Sequence, residues 1–161
     1  MTNRFQPHIL VLPEDDANSQ LANGFLLDLH QAALRKIQVL PEAGGWIAVL
    51  DTFESDHVAD MDRYTKGFMF LLIDFDGDEE RGAYARRKIP ERLRERVFIL
   101  GARTDPESVK KALGPYESIG RALAEDCREG TDRTWGHELL RHNANEIGRL
   151  RQYVRAILFS S

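Results

Sequence analysis

The chain alternates short apolar runs with longer amphipathic stretches. The runs are residues 8–12, 37–40, 68–73 and 97–101, and each begins or ends at Pro, Gly or a charged residue. Runs this short and this apolar are typical of strands that are buried on both faces. Because amphipathic sequence separates them, they predict an α/β domain: a parallel four-stranded sheet flanked by helices.

The intervals between these runs predict helices. Apolar residues recur at helical spacing after residue 16 and again over 46–53. The highly charged stretch 54–63 is expected to be a solvated helix end or a loop. Residues 79–96 predict a basic helix that breaks near Pro90.

The last part of the chain is expected to be helical throughout. Asp105 is a predicted N-cap with Pro106 in the first helical position, and this helix should end at residues 114–115. Residues 116–161 show neither strand runs nor linker composition. We therefore predict one domain, in which residues 1–115 form the α/β core and residues 116–161 form a helical C-terminal extension.

Composition narrows the class of protein. The chain has 161 residues, 42% hydrophobic and 30% charged, with a formal net charge of −4. This is the composition of a soluble globular protein, and its charge offers nucleic acid no global attraction. Cys127 is the only cysteine, the first residues lack a signal peptide, and no apolar run is long enough to cross a membrane. We expect a cytoplasmic protein without a membrane segment.

Acidic residues follow two of the predicted strands. Asp74, Asp76 and Asp78 come directly after the third run, and Glu14 and Asp15 come directly after the first. Parallel strands end at one edge of a sheet, and neighbouring strands lie about 4.8 Å apart. Such closely spaced carboxylates repel one another unless a cation lies among them, and their hard oxygens suit Mg²⁺ or Mn²⁺. We predict that Glu14, Asp74 and Asp76 face one cation, with Asp78 as a further ligand.

This order of elements and acids resembles a TOPRIM domain, the catalytic module of topoisomerases, bacterial primases and OLD-type nucleases. The resemblance covers about residues 7–113. The acidic residue after the family's first strand matches Glu14, and its Asp-x-Asp matches Asp74 and Asp76. The resemblance implies that the aspartates bind Mg²⁺ and that Glu14 shares the metal or moves a proton.

Further positions fit OLD-like members of that family. Gly44 and Gly45 follow the second strand, and Glu107 opens the helix after the fourth. Glu107 is therefore an additional candidate for the site, and Asp15, directly after Glu14, is another. The implied activity is metal-dependent cleavage of phosphodiester bonds in nucleic acid.

The chain also departs from the family. Many members have Glu-Gly where this chain has Glu14-Asp15, and no Walker motif or attached ATPase domain is present. A stand-alone chain of this kind is consistent with a nuclease, with a subunit that needs a protein partner or forms a homodimer, or with a catalytically inactive partner subunit.

Two other families share part of the pattern. Acids after the first strand and Asp74 after the third resemble a receiver domain, with Asp74 as phospho-acceptor, but no Lys-Pro follows a fifth strand. Residues 74–77 resemble the nucleophile motif of haloacid-dehalogenase phosphatases, but they lie in mid-chain. An EF-hand is excluded because Gly77 precedes Asp78 and no glutamate closes the loop.

The C-terminal region contains histidines and arginines whose role stays open. His137 and His142 are five residues apart, which places them about 140° apart around a helix, so a shared zinc is not expected. The arginines predict either a basic wall for phosphates or a solvated face paired with glutamates. They are Arg121, Arg128, Arg133, Arg141, Arg149, Arg151 and Arg155.

Overall fold

The computed structural model describes residues 2–159, which form a three-layer α/β/α structure around one parallel sheet. The strands are β1 (His8–Pro13), β2 (Ile37–Val39), β3 (Gly67–Leu72) and β4 (Val97–Leu100). Their order in the sheet is β2-β1-β3-β4, and every pair is parallel. The predicted fold class is confirmed, and the first and third strands are neighbours.

Helices cover both faces of the sheet. The α-helices are α1 (Asp16–Leu27), α2 (Gln31–Leu34), α3 (Trp46–Thr52), α4 (Val58–Arg63), α5 (Glu79–Lys88), α6 (Pro106–Leu113), α7 (Tyr116–Glu129) and α8 (Ala144–Val154). Short 3-10 turns span Glu91–Arg96 and Arg141–Asn143, and π-helical turns span Phe53–His57 and Arg155–Phe159. Within residues 2–159, no helix is both long and apolar enough to cross a membrane.

Alternate residues of each strand enter two separate cores. Ile9 and Val11 face a core formed with α1, α7 and α8, whereas Leu10 and Leu12 face a core formed with α3, α4 and α5. All four side chains are buried. The C-terminal helices α7 and α8 therefore cover one face of the sheet.

The predicted helix signals are confirmed at most positions. Asp105 caps α6 by accepting a hydrogen bond from the Ser108 amide, and Pro106 is its first residue. The basic helix ends before Pro90, as expected. The stretch 54–63 is helical throughout rather than a loop, because Phe53 and Met61 anchor it in the core beneath its charged surface.

Side chains from the C-terminal helical region cover the outer edge of β4. The Ile99 amide donates to Glu146 Oε2 at 2.8 Å, and Arg149 Nη2 donates to the Val97 carbonyl at 3.2 Å. Asn143 bonds both the amide and the carbonyl of Gly101. The Val97 carbonyl, the Ile99 amide and both backbone groups of Gly101 are therefore already bonded and unavailable to a fifth strand.

Candidate metal centre

The backbone places Glu14 and Asp74 side by side at the carboxyl edge of the sheet. Glu14 follows the last residue of β1, and its amide donates to the Leu72 carbonyl on β3 at 2.9 Å. On the other side, the Phe75 amide donates to the Ala102 carbonyl at 3.0 Å. Because pairing continues beyond the strand ends on both sides of β3, the positions of these two acids are fixed by the sheet.

Three carboxylates meet at this edge. One carboxylate oxygen from each of Glu14, Asp15 and Asp74 lies within 4.8 Å of the other two. Glu14 is 9% exposed and Asp74 is 6% exposed, so both acids are almost wholly withdrawn from water. None of the ion pairs formed within residues 2–159 involves any of the three.

The Asn18 side chain hydrogen-bonds two of the three carboxylates in the cluster. Its Nδ2 donates to Asp15 Oδ1 at 2.9 Å and to Asp74 Oδ2 at 3.1 Å, and its own side chain is buried. Its amide also donates to Asp15 Oδ1, so Asp15 is the N-cap of α1. One asparagine in the first helical turn therefore holds acids from two different segments.

Burial dominates the ionisation of the two deepest acids. Burial, together with the charges of Glu14 and Asp15, raises the pKa of Asp74 to about 8, and a hydrogen bond that protonated Asp74 donates to Glu14 adds to the rise. Burial, with the Asp15 charge, also raises the pKa of Glu14, while its bond to Asp74 and the charge of Arg81 oppose this. Without a cation, Glu14 and Asp74 therefore titrate as a pair that shares a proton near neutral pH.

The cluster has the donor set that a divalent cation requires. When both acids are ionised, Glu14 Oε1 and Asp74 Oδ1 are buried and accept no hydrogen bond within residues 2–159. Buried carboxylate oxygens without a partner are unusual, and a hard cation such as Mg²⁺ satisfies them and stabilises the ionised forms. Glu14, Asp15 and Asp74 therefore fit such an ion.

The glycine pair after β2 supports the cluster through the backbone. The amides of Gly44 and Gly45 donate to the Glu14 carbonyl at 2.9 and 3.2 Å. Their φ angles are +95° and +150°, which favour glycine over residues with a Cβ. This explains the two consecutive glycines: they turn the chain so that both amides reach Glu14.

The remaining predicted ligands lie outside the three-carboxylate cluster. Asp76 has a positive φ of 50°, which interrupts the strand alternation, and its side chain is 71% exposed, with Oδ2 3.9 Å from Arg81 Nη2. Asp78 caps α5 by accepting from the Glu80 amide at 3.0 Å. The structure therefore brings Glu14 and Asp74 together with Asp15 rather than with Asp76 and Asp78.

Glu107 lies on the same side of the molecule, in the first turn of α6. Burial raises the pKa of Tyr116, and the charges of Glu107, Asp15 and Asp74 raise it further. Glu107 therefore acts on the same tyrosine as two acids of the cluster, but it is not one of the three clustered carboxylates.

Two residues that contact the cluster, Arg81 and Asn18, are not among the site residues predicted from the sequence. Arg81 donates from Nη1 to the Asp74 carbonyl at 2.7 Å, and its guanidinium lies 4.6 Å from the centre of the Trp46 ring. Asn18 follows its cap residue by three positions, a spacing at which the side chains share a helix face. This spacing from Asp15 is the one feature of the sequence that could have predicted Asn18. No comparable feature distinguishes Arg81 from the other arginines.

Fold and site together define a class: a three-layer α/β protein with a buried carboxylate cluster at the carboxyl edge of a parallel sheet, where such sheets place their ligands. Comparison of the chain with protein-family models, with curated proteins and with solved structures gave no match in any of the three.

Proposed function

We propose that this protein is a Mg²⁺-dependent phosphodiester hydrolase that acts on nucleic acid, with Mn²⁺ as a substitute ion. The observation that carries the proposal is the pair of unpartnered, buried oxygens, Glu14 Oε1 and Asp74 Oδ1, within a three-carboxylate cluster. Glu14, Asp15 and Asp74 would hold the ion, which supplies Lewis-acid activation of a phosphate.

The protein's own residues would position the ion and move the proton. Asn18 orients Asp15 and Asp74, and the glycine amides fix the backbone of Glu14. Glu14, whose pKa is raised by burial, is the residue that we assign to accepting a proton from an attacking water. Asp76 is exposed and close to the cluster in sequence, which suits a role toward substrate rather than toward the ion.

A local cationic and aromatic surface supports a nucleic-acid substrate. Trp46 contacts both Arg81 and Tyr84, and the ring centres of Trp46 and Tyr84 are 5.5 Å apart. Arg87 and Lys88 contact the Tyr84 ring at 5.9 and 5.4 Å. Cations and aromatic rings together are the groups that bind phosphates and stack on bases, and they offset the net negative charge at this site.

The test is a cleavage assay on single- and double-stranded DNA and RNA with millimolar Mg²⁺ or Mn²⁺. Asp74→Asn removes a ligand from the cluster and should lower the rate more than about 100-fold, whereas Asp76→Asn should lower it about 10-fold or less. Equal losses would favour the Asp-x-Asp pair over the three-carboxylate cluster. Absence of metal-dependent cleavage on all four substrates would contradict the proposal. The remaining alternative would then be a metal-binding subunit without catalytic activity of its own.

The receiver-like alternative has one observation in its favour: Asp74 on β3 lies beside acids that follow β1. Against it, α8 side chains already bond the β4 edge on which a fifth strand would pair. We therefore expect no adduct at Asp74 with acetyl phosphate or beryllofluoride. Stoichiometric formation of an acyl phosphate at Asp74, seen by intact-mass measurement, would establish the signalling alternative instead.

A further inference from the structure

The core between the sheet and its C-terminal helices contains a cavity of about 90 Å³. Val11, Phe70 and Leu100 form its floor on the sheet, and Ala22, Cys127 and Leu150 close it from α1, α7 and α8. Burial raises the pKa of Cys127 to about 11, so this thiol is neutral and adds no charge to the lining. The cavity is separate from the carboxylate cluster, although both contact Asn18.

Packing between two helices explains why the cavity stays open. A Cβ on Gly24 of α1 would lie 2.2 Å from the Glu117 carbonyl, and a Cβ on Gly120 of α7 would lie 2.1 Å from the Leu21 carbonyl. The two helices are therefore in backbone contact, and this contact limits how closely either can approach the sheet. The small side chains that these helices direct toward the sheet, Ala22 and Cys127, leave the cavity unfilled.

Two asparagines, Asn18 and Asn143, lie among the otherwise mostly apolar residues that line the cavity. Asn143 is fully used, because it bonds the amide and carbonyl of Gly101 and the carbonyl of Leu140. Asn18 donates both of its side-chain bonds from Nδ2, and neither bond uses its Oδ1 acceptor. A bound water needs two to four polar partners, so a single acceptor does not favour water.

We propose that this cavity is a binding site for a compact apolar molecule that carries one hydrogen-bond donor. Its apolar body would contact Val11, Phe70 and Leu150, and its donor would bond Asn18 Oδ1. An apolar cavity of about 150 Å³ binds benzene, so one small ring is the upper limit for the occupant of this smaller cavity. This site goes beyond the proposed hydrolase activity and does not depend on it.

The probes are phenol, which has one donor, and benzene, which has none. Phenol should bind with one-to-one stoichiometry by calorimetry, and at ten times its Kd it should raise the melting temperature by about 3 °C or more. Benzene should bind at least about 10-fold more weakly, because it leaves Oδ1 without a partner. Equal affinities for the two probes would overturn the role of Asn18.

A matched pair of substitutions locates the site. Ala22→Leu fills the cavity from α1 and should abolish phenol binding without lowering the melting temperature. Ala85→Leu adds the same volume to the opposite core, where Ala85 is fully buried and does not line the cavity, and should destabilise the protein. Cys127→Leu fills the cavity from α7 and replaces Ala22→Leu if that variant does not fold. No binding to the wild type, or undiminished binding to the filled variant, would overturn the proposal.

Discussion

At the scale of single residues, the property that governs the site is the cost of ionising Asp74. Its pKa of about 8 lies well above its usual value of 3.8, because the carboxyl is buried beside Glu14 and Asp15. The folded chain therefore holds this proton at pH values where the unfolded chain has released it. Stability from this group is present below about pH 4 and is lost as the pH rises to about 8.

The first prediction follows from this raised pKa of Asp74, which makes the protein less stable as the pH rises. In the absence of divalent ions, the free energy of unfolding of the wild type should fall by a few kcal/mol between pH 4 and pH 8. Asp74→Asn cannot ionise, so it should be the more stable protein at pH 8 and should show a flatter profile. Urea unfolding at several pH values, with a chelator present, measures both effects.

Asp76→Asn is the control for this experiment, because Asp76 is 71% exposed and water already solvates its charge. It should reproduce the wild-type profile. A wild-type stability that does not change over this range would contradict the assigned environment of Asp74.

At the scale of elements, the contact between α1 and α7 depends on glycine. Gly24→Ala would place a Cβ 2.2 Å from the Glu117 carbonyl, so the helices would have to separate. We expect a loss of about 1 to 3 kcal/mol despite the better helix propensity of alanine. The measurement is the urea midpoint, with the denaturant slope checked for constancy.

Gly148→Ala is the matched substitution on α8, where a Cβ would meet nothing within 4 Å. Only propensity acts there, and stability should rise by about 0.5 to 1 kcal/mol. Equal effects at the two positions would mean that α1 and α7 are not in backbone contact.

Sequence pattern predicts the elements of this fold well where burial is uniform. All four strands were expected at their observed places, because a strand covered on both sides has no polar face to obscure it. The pattern does not distinguish a helix end from a loop over 54–63, where seven polar or charged side chains lie near the buried anchors Phe53 and Met61. The π-helical turn at Phe53–His57 has no sequence signal of its own.

Part of the site can also be predicted from the sequence, because the order of the strands determines which of their ends are neighbours. That Glu14 and Asp74 lie together follows from neighbouring parallel strands and needs no side-chain detail. Whether Asp15 or Asp76 joins them depends on one helix cap and one positive φ angle, which pattern alone does not encode. Asp15 is therefore only a secondary candidate in the sequence, and the folded chain is needed to identify it as the third member of the cluster.

At the scale of the whole molecule, the carboxylate cluster should couple ion binding to global stability. Mg²⁺ at a hundredfold excess over its Kd should stabilise the wild type by about 2.7 kcal/mol, because the unfolded chain does not assemble the three ligands. Asp74→Asn should lose most of this response. Thermal melts of both proteins with and without millimolar Mg²⁺, at fixed ionic strength, make the comparison.

Two outcomes of the melts need to be distinguished. If the wild type responds only when a short oligonucleotide is also present, substrate phosphates complete the coordination of the ion. If it responds to neither Mg²⁺ nor Mn²⁺ under any of these conditions, the cluster is not a metal site.

The covered edge of β4 has a consequence for how the protein is made. The side chains that bond this edge, from Asn143 to Arg149, lie far along the chain from the strand that they protect. During synthesis on the ribosome, β4 emerges long before these side chains. The edge of β4 is therefore free to pair with strands of other chains until α8 has been synthesised. We therefore expect chains truncated before residue 143 to aggregate during synthesis, even though their strands are complete.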